Sequence, residues 1–405
     1  MKTKNEITLQ SLGAAGTVTG SKHLLRTPEL TVLVDCGLFQ GLKELRLKNW
    51  DKLPVNPADI DVMILTHAHL DHCGYIPLFV KNGFKGKIYM SPPTKDLAQI
   101  ILRDSAKIQE EDAANANHYG YAKHKPALPL YTIQDAEKAF NQFETIEHSV
   151  ETSLSANIKF HFTKNGHILG SCFIDMNCFG KKIIFSGDIG RFNSDFLAPP
   201  SQISEADFLI MESTYGDRLH SNANPSEQLA KVIFDTQQEH GNVLIPSFAV
   251  GRAQELMHLL NELKKENKIA RNIPIYLDSP MAANATDLLC KFMDWHKLSK
   301  DQCDSVCKDV IINREYQGTK KILADKHSKI VLSASGMITG GRVLEYMKHY
   351  APDKNNTILL IGFQAEGTRG RALKEGAQEV KIHGKVIQVR AKVFKLQQIC
   401  VCFHI

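Results

Sequence analysis

The sequence predicts an α/β protein with two domains, and three observations support this fold class. The chain has 405 residues, which is more than one ordinary hydrophobic core organises. Short apolar runs that end in Gly, His or Asp recur through residues 7–188, as expected for strands followed by turns. From about residue 207, apolar runs alternate with helical patterns, which is typical of a parallel α/β domain.

Composition and charge exclude several protein classes. Hydrophobic residues at 43% and charged residues at 23% are typical of globular proteins and exclude disordered and fibrous classes. The net charge of +5 permits a polyanionic substrate without requiring one. No apolar stretch has the length of a signal peptide or a membrane span. The nine cysteines include no CxxC pair, so we expect buried thiols in a cytoplasmic protein.

The first half of the chain divides into predicted elements in order. Strands are expected at 7–12, 23–26 and 30–35, with the glycine-bearing loop GAAGTVTGS after the first. A buried strand at 62–65 precedes a short helix near 78–80, a strand at 87–90 and a long helix that opens at Pro93. Alternating strands fill 158–188. His167 and Asp188 each lie in a turn directly after one of these strands.

The second half shows the alternation that defines the other predicted domain. Strands are expected at 208–211, 243–246, 273–277, 330–333 and 357–361, with helices such as 226–238 and 252–266 between them. After residue 376 the chain returns to short strands. Because the carboxyl ends of parallel strands share one edge of a sheet, polar residues there are candidates for a binding crevice.

Metal-binding residues concentrate in the stretch THAHLDHCG at 66–74. His67, His69, Asp71 and His72 place three imidazoles and one carboxylate within six positions. Catalytic zinc takes neutral imidazole and carboxylate ligands and keeps a position open for water. His167 and Asp188 lie at later strand ends. The pattern therefore predicts a metal site to which these six residues contribute.

Three of these motifs resemble those of a known family. HAHLDH, NGHILGS and SGDIG look like the metal-ligand motifs of the metallo-β-lactamase fold. The segments ESTYGDR, PSFAVGRAQEL, LDSPMA and LSASGMITGGR resemble the β-CASP insertion. The whole is similar to the β-CASP ribonucleases. This implies a metallo-β-lactamase αββα sandwich (1–205), an inserted parallel α/β β-CASP domain (206–376), and a return to the first domain (377–405).

The resemblance also implies roles for individual residues. His67, His69 and His167 would hold a first zinc, Asp71 and His72 a second, and Asp188 would bridge them. A metal-bound hydroxide would then hydrolyse RNA phosphodiester bonds in a cleft between the domains. Asp71, Asp188 and Glu212 are the candidate catalytic residues. Candidate contacts to single-stranded RNA are Arg252, Asp278, Ser333, Ser335, Arg369 and Arg371.

The chain departs from the family pattern near its end. Two further histidine motifs are expected after the strand VIQVRAKVFKLQQ, but the sequence reads ICVCFHI instead. We therefore expect an incomplete second zinc site and weak RNA cleavage. Two alternatives stay open: a non-catalytic RNA-binding or scaffold protein, and a metallo-hydrolase acting on small thioesters or lactams. A homodimer is compatible with these patterns.

Overall fold

The computed structural model describes residues 6–120, 124–214, 216–217 and 224–396. These residues form two compact units, one extending to Thr214 and one covering the later residues. Within the described part of the chain, no helix combines the length and apolar character that a membrane span requires. The seven cysteines that the structure describes all carry free thiols.

The first unit contains a six-stranded sheet whose order follows the chain. Its strands are β1 (Thr8–Gly13), β2 (Lys22–Arg26), β3 (Thr31–Val34), β4 (Val62–Ile64), β5 (Lys87–Met90) and β6 (Phe143–Thr145). The first three strands pair antiparallel, and β3 to β6 pair in parallel. The side chains of Val32, Leu33 and Val34 are fully buried, as expected for a central strand. The parallel strands therefore end at one edge of this sheet.

A second sheet in the same unit is mostly antiparallel. Its strands are β7 (Thr152–Ser153), β8 (Ile158–Lys164), β9 (Cys172–Cys178), β10 (Lys181–Phe185) and β11 (Phe208–Ile210), in the order β11-β10-β9-β8-β7. In β8, buried Ile158, Phe160 and Phe162 alternate with more exposed residues, the pattern of a strand with one face in a core. This confirms the strands predicted between 158 and 188.

The described residues of the first unit also form the α-helices α1 (Lys43–Leu47), α2 (Leu70–Cys73), α3 (Ile76–Lys81), α4 (Pro92–Tyr119) and α5 (Ile133–Phe140). The predicted long helix is α4. It begins where the Ser91 hydroxyl accepts a hydrogen bond from the Thr94 N–H, and it ends at Gly120 with φ +69°. A serine at the N-cap and a left-handed glycine after the last turn satisfy backbone groups that a helix end leaves open.

The second unit is built on a parallel sheet of six strands. They are β12 (Val243–Pro246), β13 (Ile275–Asp278), β14 (Ile311–Asn313), β15 (Ile330–Ser333), β16 (Thr357–Ile361) and β19 (Lys392–Leu396), in the order β14-β13-β15-β12-β16-β19. A hairpin of β17 (Glu379–Ile382) and β18 (Lys385–Gln388) precedes β19. The helices are α6 (Pro225–Gln238), α7 (Arg252–Lys265), α8 (Pro280–Lys291), α9 (Lys300–Lys308), α10 (Tyr316–Ala324), α11 (Val343–Tyr350) and α12 (Arg369–Lys374).

The alternation of strands and helices in this unit confirms the predicted parallel α/β architecture. One placement differs from the expectation. We predicted a return to the first domain after residue 376, yet β19 pairs in parallel with β16 along its full length. Residues 377–396 thus belong to the second unit. The remaining domain limits stay predictions, and residues 397–405, where the sequence departs from the family pattern, lie outside the described residues.

Candidate metal centre

The histidine-rich turn lies where the buried strand β4 ends. Leu65 and Thr66 follow that strand, and His69 is the N-cap of the short helix α2, whose last turn contains His72. Close packing fixes this turn against the loop after β3: a Cβ on Gly37 would lie 1.5 Å from the Asp71 carbonyl oxygen. The sequence motif therefore folds as a strand-to-helix turn, as predicted.

Four side chains converge to form the candidate metal site. The ligand atoms of His67, His69, His167 and Asp188 all lie within 4.8 Å of one another. His69 Nδ1 lies 3.1 Å from His67 Nε2 and 3.0 Å from His167 Nε2. Asp188 Oδ2 lies 3.4 Å from His167 Nε2 and 3.8 Å from His67 Nε2.

This donor set fits a zinc ion. Zinc binds imidazole nitrogen at about 2.0–2.1 Å in a tetrahedron, which places ligand atoms about 3.3 Å apart. The four separations above, 3.0 to 3.8 Å, bracket that value. Three imidazoles and a carboxylate are also the ligand types found in zinc enzymes. The residues present can therefore hold a metal without rearrangement of the backbone.

Asp188 also faces the second predicted ligand set. Its Oδ1 lies 3.1 Å from His72 Nε2, whereas its Oδ2 faces the other histidines. Asp71 interacts electrostatically with both His72 and Asp188, although neither Asp71 nor His72 belongs to the four-donor group found among the described residues. The carboxylate of Asp188 thus lies between the two sets, an arrangement compatible with the predicted bridging role.

The protonation of the site follows from burial and from these neighbours. Burial and the charge of His72 hold the pKa of His67 well below its ordinary value, so this imidazole is neutral and available as a ligand. Burial alone would raise the pKa of Asp188, but His72, His167 and His67 hold it well below its usual range. Burial raises the pKa of Asp71 to about 6. Burial alone would lower the pKa of His72, but the carboxylates of Asp188 and Asp35 hold it well above its ordinary value. The metal-free site therefore combines a neutral His67 with a protonated His72 beside an ionised Asp188.

Asp35 is a candidate positioning residue that the sequence motifs do not identify. Its Oδ2 accepts a hydrogen bond from His72 Nδ1 at 2.7 Å, and its Oδ1 accepts one from the Thr66 N–H at 2.8 Å. The Thr66 hydroxyl donates to the same carboxylate at 2.9 Å. Because the Asp35 carboxylate accepts the hydrogen on His72 Nδ1, the other ring nitrogen, Nε2, is the atom that can bind a metal once it has lost its proton. A single Asp after a strand gave no signal in the sequence.

Replacing Asp35 with asparagine should weaken metal binding by about 10- to 100-fold, the usual effect of removing a partner that orients a metal ligand. Asparagine has the same shape as aspartate and can keep the contact to Thr66. Its amide N–H, however, can donate to His72 Nδ1, which would place the ring hydrogen on Nε2, the nitrogen that would bind the metal. Titration of the metal-free protein with zinc would measure the change. Asp59→Asn, in an exposed 3₁₀ turn, serves as the control, and equal affinity of both variants would contradict the role given to Asp35.

The turn that carries His167 is held from two sides. The Ser171 hydroxyl accepts a hydrogen bond from the His167 N–H at 3.0 Å. Ser91 and Thr94, at the start of α4, both donate to the Gly170 carbonyl, at 2.6 and 2.9 Å. The long helix therefore positions the third histidine, which explains why a ligand so far along the chain is placed beside His69.

Asn165 and Glu212 position Asp188 through its backbone. Asn165 Nδ2 donates to the Asp188 carbonyl at 2.9 Å. Glu212 Oε1 accepts from the Ile189 N–H at 2.7 Å, and its Oε2 accepts from the Thr214 hydroxyl at 2.8 Å. Burial, followed by the charge of Asp188, raises the pKa of Glu212 to about 7. Glu212 thus orients the residue next to a candidate ligand, and its catalytic role stays a prediction.

The six candidate RNA contacts all lie in the second unit and have partners there. Arg252 is buried and pairs with Glu255 at 3.0 Å, and Arg371 pairs with Glu375 at 2.5 Å. Arg369 Nη1 donates to the Ile338 carbonyl at 3.1 Å. The hydroxyls of Ser333 and Ser335 bond to the Asp278 carbonyl and the Thr339 hydroxyl, respectively. Their role as substrate contacts stays a prediction.

Asp278, also predicted as an RNA contact, lies at the centre of a buried network. Its side chain is fully buried and forms an ion pair with Arg342 at 2.6 Å. Asn313 Nδ2 and the hydroxyls of Thr319 and Tyr346 also donate to its carboxylate. These partners come from β14, α10 and α11, so the carboxylate connects elements around the carboxyl ends of the strands. The observed contacts are those of a structural residue.

Comparison with known proteins gives consistent matches over the chain. Residues 16–225 match the Metallo-beta-lactamase superfamily model, and residues 253–373 match the Beta-Casp domain model. The chain is 33% identical to Ribonuclease TTHA0252 of Thermus thermophilus, over 95% of this chain and 85% of the relative. It is 35% identical to an RNase J-like protein of Methanocaldococcus jannaschii, over 92% and 82% respectively.

Two further matches extend the comparison. Transcription termination factor FttA of M. jannaschii is 33% identical over 96% of this chain, but the match spans 62% of that longer protein. A crystal structure of a protein of unknown function from Enterococcus faecalis V583 superposes with a TM-score of 0.50 at 12% identity, covering 98% of this chain and 89% of that chain. The latter likeness concerns the fold alone.

Proposed function

Because the chain belongs to the metallo-β-lactamase superfamily and carries a Beta-Casp domain, we propose that it is a zinc-dependent ribonuclease. The observation that carries this proposal is the convergence of His67, His69, His167 and Asp188 within 4.8 Å. The relatives named as a ribonuclease and an RNase J-like protein support RNA as the substrate class. The free cysteines fit action in the cytoplasm, where thiols stay reduced.

In the proposed mechanism, the four donors and the residues around them bind the metal, position its ligands and transfer protons. A bound zinc ion would acidify water and stabilise charge on the attacked phosphate. His67, His69 and His167 would hold that ion, with Asp188 as its fourth ligand. Asp35 keeps the hydrogen of His72 on Nδ1, so that Nε2 faces Asp188. Of the three predicted catalytic residues, Asp188 would act as a ligand. We assign proton transfer during phosphodiester hydrolysis to Asp71 and Glu212, since burial raises their pKa values to about 6 and about 7.

A role in transcription termination is the second candidate. The observation that favours it is the 33% identity to Transcription termination factor FttA over 96% of this chain. The two candidates are compatible, since a terminating factor can act by cutting RNA or by binding it without cleavage. Metal dependence of cleavage distinguishes a catalytic role from a binding role.

The proposed function is tested by incubating labelled single-stranded RNA with the zinc-loaded chain, with and without a chelator. We expect phosphodiester cleavage that the chelator abolishes and added zinc restores, because the reacting water depends on the metal. A small thioester, assayed in parallel, should not be hydrolysed at a comparable rate. Metal analysis should find zinc bound to the chain as purified.

Two outcomes would contradict this proposal. RNA cleavage that survives chelation would exclude a metal mechanism or indicate a contaminating nuclease. RNA binding without cleavage by the zinc-loaded chain would favour the non-catalytic alternative. The variant His69→Ala controls for contaminants, because a co-purifying nuclease would be unaffected by the loss of this donor.

A further inference from the structure

We propose that the segment Lys43 to Lys52, beside the metal centre, is a contact surface for single-stranded RNA, with Trp50 as a platform on which a base stacks. We call these residues the basic segment. The proposal rests on the proposed function for the class of ligand, and it adds a binding surface outside the predicted RNA contacts. It stands on the exposure of Trp50, the arrangement of the neighbouring cations and the attachment of the segment to the metal centre.

Trp50 is the more exposed of the two tryptophans of the chain. Its side chain is 58% exposed, whereas Trp295, the other tryptophan of the chain, is 7% exposed and packed in the second unit. Leu47, on the preceding turn, is 55% exposed. A single exposed apolar side chain needs no ligand, so the proposal depends on the combination of Trp50 and Leu47 with the cations beside them. A nucleic-acid base offers a flat apolar face that can stack on an indole ring.

The charges around Trp50 favour a polyanion as that occupant. The segment 43–52 holds four cations and two carboxylates: Lys43, Arg46, Lys48, Lys52, Glu44 and Asp51. Lys43, Arg46 and Lys48 are exposed, and no described carboxylate forms an ion pair with any of them. Lys48 Nζ lies 5.6 Å from the Phe39 ring centroid. Cations alternating with exposed apolar side chains are the composition of surfaces that track a single strand by phosphate contact and stacking.

A buried side chain fixes the basic segment in place. Asn49, between Lys48 and Trp50, is buried and makes two hydrogen bonds to one backbone residue. Its Oδ1 accepts from the Phe39 N–H at 2.9 Å, and its Nδ2 donates to the Phe39 carbonyl at 2.8 Å. Trp50, the next residue, therefore exposes its side chain to solvent from a backbone that is held in place. A pre-organised aromatic ring loses little conformational freedom when a base stacks on it.

The loop after β3, which contains Phe39, connects the basic segment to the turn that carries the candidate metal ligands. Leu38, next to Phe39, donates its N–H to the Leu70 carbonyl at 3.0 Å, and Cys36 donates to the His72 carbonyl at 2.7 Å. Asp35 bonds the His72 ring. Lys22 adds to this support, since its buried ammonium donates to the Gly37 carbonyl and lies 4.8 Å from the rings of Phe39 and Tyr75. The basic segment is therefore attached, through the loop after β3, to the turn that carries His69 and His72.

The test measures binding of the zinc-loaded chain to a short labelled oligouridylate with a phosphorothioate backbone, which resists cleavage. Trp50→Ala should weaken binding about 10-fold, within the range expected for losing one base stack. Trp50→Phe should retain most of the affinity. Arg46→Ala/Lys48→Ala should lower the slope of log affinity against log salt by about 1.4, since each lost phosphate contact on a single strand contributes about 0.7.

A matched double variant controls for total charge. Lys85 and Lys138 are exposed cations of the same unit, and no described carboxylate pairs with either. Lys85→Ala/Lys138→Ala therefore removes the same charge elsewhere and should leave the salt slope nearly unchanged. Thermal unfolding of each variant should match the parent chain, because the altered side chains are exposed.

The outcomes separate this inference from the proposed function. Hydrolysis of a small phosphodiester without bases should be unchanged in Trp50→Ala, which places the effect in RNA binding. If the parent chain cuts RNA but Trp50→Ala and the Arg46/Lys48 variant bind it as tightly as the parent, the surface assignment is wrong and the ribonuclease proposal stands. If the parent chain neither binds nor cuts RNA, both fail. Equal losses in the two double variants would also overturn the assignment, because they would show a general charge effect.

Discussion

Replacing Asp188 with alanine should lower the rate of RNA cleavage by the zinc-loaded chain to below about 1% of the parent rate. Loss of an orienting partner of a metal ligand alone reduces affinity or activity by about 10- to 100-fold, and Asp188 is itself a candidate ligand. Its carboxylate approaches His167 and His67 through Oδ2 and His72 through Oδ1. Its removal leaves buried imidazoles without their shared anion, so zinc content should fall together with the cleavage rate.

The measurement combines initial rates on labelled single-stranded RNA with zinc analysis of the same samples. Asp195→Ala, at an exposed position seven residues later, should behave like the parent chain. Asp188→Asn keeps the shape of the side chain and tests whether the charge is required, even if the alanine variant unfolds. Parent-like cleavage by a folded Asp188 variant would show that the four-donor site is not the reaction centre.

The largest effect on stability is expected in the second unit, at Asp278. Asp278→Ala should lower the free energy of unfolding by about 3–5 kcal/mol, the usual effect of breaking a buried ion pair by removing one partner. Arg342, on the rim of this network with 16% side-chain exposure, would lose its anion. The hydroxyls of Thr319 and Tyr346 would lose their acceptor, and a buried donor without an acceptor is itself destabilising.

Denaturant unfolding of the second unit, followed by the fluorescence of buried Trp295, would measure this change. Asp235→Ala is the matched control, since Asp235 is exposed on α6 and surface substitutions usually change stability by less than about 0.5 kcal/mol. If Asp278→Ala unfolds like the parent but binds RNA more weakly, the carboxylate is a substrate contact, as the sequence predicted, and its buried network contributes little to stability.

The turns that carry the candidate metal ligands were the most predictable part of the molecule, because each turn directly follows a strand. His67, His69 and His72 follow a continuous apolar run, so the sequence itself shows both the strand and the turn that presents the ligands. His167 and Asp188 each follow a strand in the same way. His67 and His69 follow β4 of the first sheet, whereas His167 and Asp188 follow β8 and β10 of the second sheet. The residues and their turns could therefore be predicted, but their convergence depends on how the two sheets pack, which the sequence does not show.

The positions of Asp35 and Asp278 could not be predicted in the same way. Asp35 is one acid after one strand, and its partners Thr66 and His72 lie more than thirty positions away in the chain. Asp278 was placed correctly at a strand end, but the sequence does not show whether such a side chain turns to solvent or inward. The side chain points inward because Asn313, Thr319 and Arg342 bind its carboxylate. These three residues come close to Asp278 only once the sheet has formed.

The placement of β19 shows a further limit of sequence patterns. The run VIQVRAKVFKLQQ is predicted as one strand, but the structure divides it into β18 and β19, because alternation shows neither where a strand is interrupted nor which strand lies beside it. The pairing partner of β19 is β16, which is buried along its whole length. A strand of intermediate exposure beside a buried one is an edge strand, and this position depends on the order of the other five strands.

The backbone of Asp35 adds a consequence for how the protein tolerates mutation. Asp35 has φ +59°, a left-handed conformation that strains most side chains and suits aspartate, asparagine and glycine best. Its carboxylate must also accept hydrogen bonds from both Thr66 and His72, which excludes glycine and disfavours asparagine. Backbone and side chain thus select the same amino acid independently. In a library of all single substitutions, this position should be among the least permissive, including toward the longer acid Glu.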